Sequence, residues 1–273
     1  MAGLLLISSI AVITVANDVT LNADVNNTAP TVMKWETDET NNITSINPTP
    51  GQPVTVRKCA IVCDNNGKED IVDSTVKAVV QFPNGTVKEQ ETLGDGTGHA
   101  EHCGLGASPD FGVLCKFYSG TFLLASTDPS LNYSITVTAK DVANEEGMDT
   151  NNLTYGTCTG VSLSSSTITF GQLAPGTTAS GTEVTITNTC NTEMDIADSV
   201  TDLTRTTSPP DTIPASDVTE TIAGVPASST CTNVNIAVGG TATMTSSLIV
   251  PLGTLPGTYT GTKTLTALNG ATC

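Results

Sequence analysis

The sequence predicts an all-β protein of two immunoglobulin-like β-sandwich domains that follow an N-terminal apolar segment. Aromatic residues make up 4% and charged residues 14% of the 273-residue chain, both low values, whereas Thr, Val, Ile and Gly are abundant. Short stretches of alternating apolar and polar residues recur between Gly-, Pro- and Asn-rich turns. The length fits two sandwiches. We place the apolar segment at residues 1–25, the first domain at residues 26–155 and the second at residues 156–273.

The N-terminal segment divides into two halves with different patterns. Residues 4–16 are almost wholly apolar, whereas residues 18–25 alternate with the period of a half-buried strand. One interpretation is a secretory signal peptide, because residues 3–16 are too short to span a bilayer and end in small residues before Asn17. No Lys or Arg precedes the apolar run, which is atypical of such a peptide.

A second interpretation is that the segment is retained and acts as a donor strand. A run of β-branched residues without a polar face must be buried on both sides, and such a run suits the open sheet of the next copy. A third interpretation is an apolar helix like that of pilins. The donor-strand interpretation rests on the apolar residues Ile10, Val12, Ile13, Val15, Val19, Leu21, Ala23 and Val25. In all three cases the rest of the chain is exported.

Alternating stretches give the expected strands of each domain. In the first domain, Trp35 is a plausible core anchor and Pro83, Asn84 and Gly85 form a turn. The first-domain strands are expected at residues 31–36, 54–62, 75–82, 86–91, 113–124 and 133–139. A linker is expected at residues 148–159 and a long surface loop at residues 201–229. The second-domain strands are expected at residues 166–170, 183–188, 234–238, 241–250 and 258–267.

Five N-x-S/T sequons all lie before residue 155. Each match is weak by itself in a chain rich in Asn and Thr, but their restriction to one domain predicts that this domain is the more exposed to the outside. The candidate glycosylation sites are Asn26, Asn42, Asn84, Asn132 and Asn152.

Eight cysteines divide evenly between the two domains, which predicts two disulfides in each domain of an exported chain. Cys59 and Cys63 are about 13 Å apart on an extended strand, too far to bridge each other. We therefore expect both to pair with the insertion that carries Cys103 and Cys115. In the second domain we favour the pairs Cys158–Cys273 and Cys190–Cys231, with an intermolecular bond at Cys273 as the alternative.

Two groups of residues are candidate metal ligands, and for each a polar surface loop is the competing interpretation. His99 and His102 lie beside Cys103, so they and the nearby cysteines form a candidate nitrogen–sulfur site. The oxygen-bearing side chains of a predicted turn form a candidate Ca²⁺ site, although their spacing departs from an EF-hand loop. These residues are Asp64, Asn66, Glu69 and Asp70. We expect disulfides and a solvated turn, with no cofactor.

Charge and missing motifs narrow the function. The net charge of −17 comes from only 10 Lys and Arg residues, which argues against nucleic acid and against anionic lipid as partners. The sequence has no G-x-S-x-G, H-E-x-x-H or Walker motif, and no catalytic residues are assigned. We expect a protein that is not an enzyme and has no stable membrane anchor.

Short sequence motifs resemble parts of known surface proteins. Two stretches resemble immunoglobulin-like repeats in prokaryotic surface proteins. The inter-strand loop of such repeats resembles Asp64 to Gly67 with Asp70 and Ile71, and their last strand resembles residues 133–141. Residues 183–191 resemble the strand-and-turn phrase of another immunoglobulin-like group in cell-surface proteins, where Gly commonly stands at the place of Cys190. Residues 253–267 look like the closing hairpin of that group.

In architecture the chain resembles archaeal extracellular filaments whose subunits exchange an N-terminal donor strand, such as threads and bundling pili. The resemblance implies an extracellular structural subunit of a filament, pilus or sheath whose partners are other copies of itself. The alternative is a monomeric secreted adhesin or ligand-binding module that contacts a cell surface or surface glycans. A filament requires the first segment to be free to leave its own domain, whereas an adhesin does not.

Overall fold

The computed structural model describes residues 23–38, 41–42, 44–99, 103 and 111–270, and the side chains of residues 34–42 are outside this description. The chain forms two β-sandwiches, as the sequence predicts. The strands of the first are β1 (Thr31–Asp38), β2 (Asn41–Asn42), β3 (Ser45–Ile46), β4 (Val54–Cys63), β5 (Lys77–Gln81), β6 (Val87–Thr92), β7 (Gly94–Asp95), β8 (Cys115–Leu124), β9 (Asn132–Lys140) and β10 (Glu146–Tyr155). Short 3₁₀ turns occupy Lys68–Asp70, Asp73–Thr75 and Thr97–His99.

The first sandwich has a complete immunoglobulin-like strand order. One sheet runs β2-β1-β4-β8-β7 and the other runs β3-β10-β9-β5-β6. In immunoglobulin lettering, β1, β4, β8 and β7 are strands A, B, E and D, and β6, β5, β9 and β10 are strands C′, C, F and G. Apolar residues that alternate along β4, β5, β8 and β9 meet between the sheets and form the core, because successive side chains of a strand point to opposite faces.

The second sandwich contains the remaining strands. They are β11 (Val161–Leu163), β12 (Thr178–Ser180), β13 (Val184–Asn188), β14 (Met194–Val200), β15 (Leu203–Arg205), β16 (Thr212–Ile213), β17 (Val218–Ile222), β18 (Val225–Pro226), β19 (Thr241–Ile249), β20 (Tyr259–Thr260) and β21 (Lys263–Asn269). A further 3₁₀ turn occupies Ala215–Asp217.

Strand order identifies the counterparts of the first domain. The larger sheet runs β11-β13-β19-β17-β18, with β12 also paired to β19, so its strands follow the order A, B, E and D. Facing it, β14 pairs with β21, and β15 pairs with both β16 and β20. The pair β14/β15 is therefore strand C, β16 is strand C′, and β20/β21 is strand F.

A buried junction joins the two sandwiches. The Asn191 side chain, 9% exposed, accepts a hydrogen bond from the Cys158 N–H at 2.9 Å and donates to the Asp128 and Gly156 carbonyls at 3.0 and 2.8 Å. Ser126 Oγ donates to the carbonyl of Thr189 at 2.7 Å. These bonds connect a loop of the first domain, the linker and the β13–β14 turn.

Several expected elements differ in the structure. The linker expected at residues 148–159 is wrong for its first part, because residues 146–155 are strand β10. The surface loop expected at 201–229 contains the strands β15 to β18. These strands have two to five residues each, which is too short for a clear alternation of apolar and polar residues. Residues 234–238 contribute one isolated bridge instead of a strand, and residues 166–170 form no strand. The backbone of Trp35 pairs with Cys59, but its side chain lies outside the described part.

Candidate functional site

One edge of the second sandwich has no strand partner among the described residues. Strand β21 pairs with β14 from Met194↔Asn269 to Val200↔Lys263, and β20 pairs with β15. Within the part of the chain that the structure describes, no strand pairs with the other edge of β20 or β21. In an immunoglobulin-like sandwich, this is the place of strand G beside strand F.

Backbone hydrogen bonds show which residues of β21 face the open edge. The Gly270 N–H donates to the carbonyl of Glu193, and the Thr201 N–H donates to the carbonyl of Thr262. In an antiparallel ladder, hydrogen-bonded pairs alternate with non-hydrogen-bonded pairs, so the even-numbered residues of β21 bond to β14. The N–H and C=O groups of Leu265 and Ala267 therefore point towards the open edge.

In the first domain, a strand at the G position covers the edge of strand F and buries the core beneath it. Strand β10 pairs with β9 through nine residue pairs, from Glu146↔Lys140 to Thr154↔Asn132. The core-facing residues of β9 are all 0% exposed, and they are Tyr133, Ile135, Val137 and Ala139. In the second domain, Leu265 and Ala267 contact the core from the corresponding strand but are only partly buried. The open edge thus borders a groove that exposes part of the core.

The facing sheet also contributes apolar residues to this core. Val161 of β11 and Ile168 from the segment that follows are partly buried against the same core as Leu265 and Ala267. An added strand in this groove would gain ladder hydrogen bonds on one side and apolar burial beneath it.

A buried charge cluster supports β21 from inside the sandwich. Lys263 Nζ lies 2.5 Å from Asp198 of β14 and also bonds Glu220 of β17, and Ser246 Oγ donates to Glu220 at 2.9 Å. Burial and a hydrogen bond with Glu220 raise the pKa of Asp198 to about 6, although Lys263 opposes the shift. Burial also acts to raise the pKa of Glu220, but hydrogen bonds with Asp198 and Lys263 outweigh it and lower that pKa. The cluster links both sheets and fixes the start of β21.

The predicted donor strand lies mostly outside the described residues. Six of its residues are outside: Ile10, Val12, Ile13, Val15, Val19 and Leu21. Ala23 and Val25 are described, and residues 23–30 form no strand, so the strand expected up to Val25 is not present there. Val25 is 83% exposed, and Ala23 is exposed as well. No described part of the first domain buries these two residues.

Residues 26–30 and the second domain lie at opposite ends of the first sandwich. Thr31 begins β1 opposite Cys63, the last residue of β4, and Asn27 Nδ2 donates to Asp141 at 2.7 Å. The linker leaves from Tyr155, at the end where β4 begins. A strand of this length spans about 30 Å. Residues 23–30 therefore start far from the groove of their own chain.

The disulfides of the first domain follow the expected pattern. Cys59 pairs with Cys103 and Cys63 pairs with Cys115, with Cα atoms 6.0 and 4.0 Å apart. The first bond ties the insertion to the outer face of β4, where Cys59 and Cys103 pack with Phe117. The second joins directly opposite residues of β4 and β8.

The pairing favoured for the second domain is wrong. Cys158 bonds Cys190, with Cα atoms 5.4 Å apart, instead of Cys273, and Cys190 therefore does not pair with Cys231. The reason is strand register: Val161 lies opposite Asn188, so the residues just before β11 and just after β13 meet. Cys231 is also disulfide-bonded, none of the described cysteines is free, and Cys273 lies outside the described residues.

The candidate glycosylation sites are exposed where the structure describes their side chains. Asn26, Asn84, Asn132 and Asn152 are exposed, and the side chain of Asn42 in β2 is outside the description. Asn132 and Asn152 lie on neighbouring strands β9 and β10, where Thr154 Oγ1 donates to Asn132 Oδ1 at 2.7 Å. The outer face of this sheet thus presents two sequons side by side.

The two candidate metal sites have different outcomes. The nitrogen–sulfur site is wrong in its sulfur ligands, because Cys59, Cys63, Cys103 and Cys115 are all in disulfides. His99 is exposed, and His102 lies outside the described residues. Asp64 and Asp70 do converge, and they are joined by Asp141, which the sequence analysis did not include. Glu69 is exposed and is not part of this cluster.

Among the described residues, no helix has the length and apolar character needed to cross a bilayer. No family model matches the chain, and no curated protein resembles it significantly.

Several solved structures show a weak likeness in fold. A chain of the CsuC–CsuE chaperone–tip adhesion subunit complex from archaic chaperone-usher Csu pili of Acinetobacter baumannii is 12% identical, with a TM-score of 0.34 over 82% of this chain and 97% of that chain. A chain of a chaperone–tip adhesin complex of CFA/I fimbriae biogenesis is 10% identical, with a TM-score of 0.30 over 88% of this chain and 84% of that chain. Latent PorU from Porphyromonas gingivalis is 11% identical, with a TM-score of 0.29 over 89% of this chain and 20% of that chain. These TM-scores are too low to support a functional argument.

Proposed function

We propose that the chain is a structural subunit of an extracellular filament, in which the N-terminal segment of one copy completes the second sandwich of the next. The observation that carries this proposal is the outer edge of β21, which no described strand covers, and where the ladder groups of Leu265 and Ala267 have no described partner above a partly exposed core. An unprotected edge of this kind promotes pairing with another chain.

The chain itself contains a segment suited to this open edge. Residues 10–25 supply apolar and β-branched side chains at strand spacing, and the described end of this segment, Ala23 and Val25, is exposed. The first domain does not need this segment, because β10 already occupies its own strand G position.

The position of the segment favours assembly between copies. Its described base, residues 23–30, lies at the end of the first domain opposite the linker, so a donor strand that extends from this end would lie far from the groove of its own chain. A contact between two different surfaces repeats head to tail and produces an open fibre. The three described disulfide pairs suit an extracellular setting, and glycans at the exposed sequons would keep the outer face of β9 and β10 in solvent.

The test compares the full chain with a version that begins at Ala23, by negative-stain microscopy and by light scattering. We expect fibres from the full chain and monomers from the shortened one. Full-length Val19→Asp/Leu21→Asp should also stay monomeric, whereas the matched control Thr20→Ser/Asn22→Ser on the alternate positions should still form fibres. Monomers from every version, or fibres from the shortened chain, would overturn the proposal.

A variant of the acceptor edge tests the groove separately. Ala267→Pro removes one N–H that faces the open edge and keeps the ladder to β14, so we expect a folded subunit that does not polymerise. Ala267→Val retains that N–H and should polymerise. Circular dichroism of both variants shows whether the second sandwich is folded.

A further inference from the structure

A cluster of three carboxylates lies at the end of the first domain where the N-terminal segment enters. Asp64 follows β4, Asp70 ends the 3₁₀ turn Lys68–Asp70, and Asp141 follows β9. The bridge Ile71↔Asp141 and the bond from the Val142 N–H to the Asp70 carbonyl, at 3.0 Å, join the loop that carries Asp64 and Asp70 to the loop that carries Asp141. One oxygen from each carboxylate lies within 4.8 Å of the other two.

Two of these acids are buried, and one has an oxygen without a partner. Asp64 and Asp141 are each 1% exposed. Asp64 Oδ1 accepts a bond from the Asn66 N–H at 2.7 Å, but Asp64 Oδ2 is buried and has no hydrogen-bond partner among the described residues. A buried carboxylate oxygen without a partner is costly, which indicates that a ligand is needed at this position.

The protein supplies no described cation to balance the cluster. None of the ion pairs among the described residues includes Asp64, Asp70 or Asp141, and Lys140 pairs instead with Glu146 at 3.3 Å. At separations within 4.8 Å the three carboxylates repel one another when no cation lies between them.

The donor atoms determine which ion fits. All three side chains offer carboxylate oxygen, and every described cysteine is in a disulfide, so no sulfur ligand is available. Hard oxygen ligands of flexible geometry suit Ca²⁺, which completes its shell with water, whereas Mg²⁺ requires near-octahedral geometry.

We propose that Asp64, Asp70 and Asp141 bind a Ca²⁺ ion that fastens the base of the N-terminal segment to the first domain. Asp141 and the neighbouring Asn66 already bond to that base. Asn27 Nδ2 donates to Asp141 Oδ2, and Asn66 Oδ1 accepts from the Thr28 N–H at 3.0 Å. Ca²⁺ removes the repulsion between the carboxylates and so makes this anchor rigid. The site does not depend on polymerisation.

The test is calorimetric titration of the metal-free full chain with Ca²⁺ and with Mg²⁺, together with thermal unfolding in Ca²⁺ and in EDTA. We expect one Ca²⁺ per chain, weaker binding of Mg²⁺ and a higher Tm in Ca²⁺. Asp70→Asn and Asp64→Asn should each weaken Ca²⁺ binding by about tenfold or more. The control Asp217→Asn, in the second domain, should bind as the unmodified chain does.

Asp70→Asn gives the sharpest result, because no hydrogen bond or ion pair to a described residue holds the Asp70 side chain, so the variant should fold. In EDTA it should unfold at the same temperature as the unmodified chain or higher, since one repelling charge is gone, and in Ca²⁺ at a lower temperature. The proposal is wrong if Ca²⁺ releases no heat and leaves the Tm unchanged, or if Asp70→Asn retains the original affinity.

Discussion

Ile135 and Leu265 face the two cores from corresponding strands, yet Ile135 is fully buried and Leu265 is only partly buried. The difference follows from one strand. Strand β10 covers the outer edge of β9, whereas no described strand covers the outer edge of β21. In the described part of the chain, the first sandwich therefore has a strand at the G position and the second does not, so the first domain shows how a strand at this position would bury the core of the second.

The domain junction should depend on Asn191. Asn191→Ala removes three hydrogen bonds from a buried position and leaves the Cys158 N–H and two carbonyls without this partner. We expect a loss of about 1–3 kcal/mol in the free energy of unfolding, measured by denaturant titration. Small-angle scattering should show greater freedom between the domains. Unchanged stability and scattering would mean that Asn191 does not hold the junction.

The Cys158–Cys190 bond should stabilise the second sandwich. It closes a loop with a sequence separation of 32 residues. Replacing both cysteines with Ser should lower the free energy of unfolding by about 3–4 kcal/mol by the loop-entropy estimate. Peptide mapping of the unmodified chain under non-reducing conditions checks the pairing itself, and a Cys190–Cys231 peptide would contradict it.

Gly147 should tolerate no side chain. A Cβ atom at this position would lie 1.8 Å from the carbonyl oxygen of Pro30, where β10 passes the start of β1. Gly147→Ala should therefore destabilise the first sandwich by about 1–3 kcal/mol through overpacking. Gly94→Ala is the matched control, because nothing lies within 4 Å of a Cβ there. Equal melting temperatures for the two variants would refute the close approach.

Tyr118 should give the first domain an acid-sensitive contribution to stability. Its hydroxyl donates to Asp73 at 2.5 Å, and this bond, with help from Lys116, lowers the pKa of Asp73 from 3.8. A lowered pKa means that the stabilisation is complete above pH 3.8 and is lost as the pH falls through the folded-state pKa. Tyr118→Phe should lower the free energy of unfolding by about 1–3 kcal/mol at pH 7. Denaturant titrations at several pH values should show that the difference in stability between the variant and the unmodified chain shrinks below pH 3.8.

Sequence patterns were sufficient for the fold class, because alternation along β4, β5, β8 and β9 is strong and follows from side-chain geometry. They did not reveal the missing strand. That absence depends on which strands lie beside β21, and pairing between distant strands leaves no local signal. The same limit explains Asp141, whose carboxylate meets Asp64 only because the ends of β4 and β9 lie together. The Cys158–Cys190 pair likewise follows from the register of β11 and β13.

The most direct test of the open edge is hydrogen–deuterium exchange at residues 259–270 in the chain that begins at Ala23, with and without a synthetic peptide of residues 10–25. We predict fast exchange at Leu265 and Ala267 without the peptide and strong protection with it, with little change in β9 and β10. Protection that is already complete without the peptide, or that appears elsewhere and not at β21, would contradict the proposal that β21 accepts this segment as a strand.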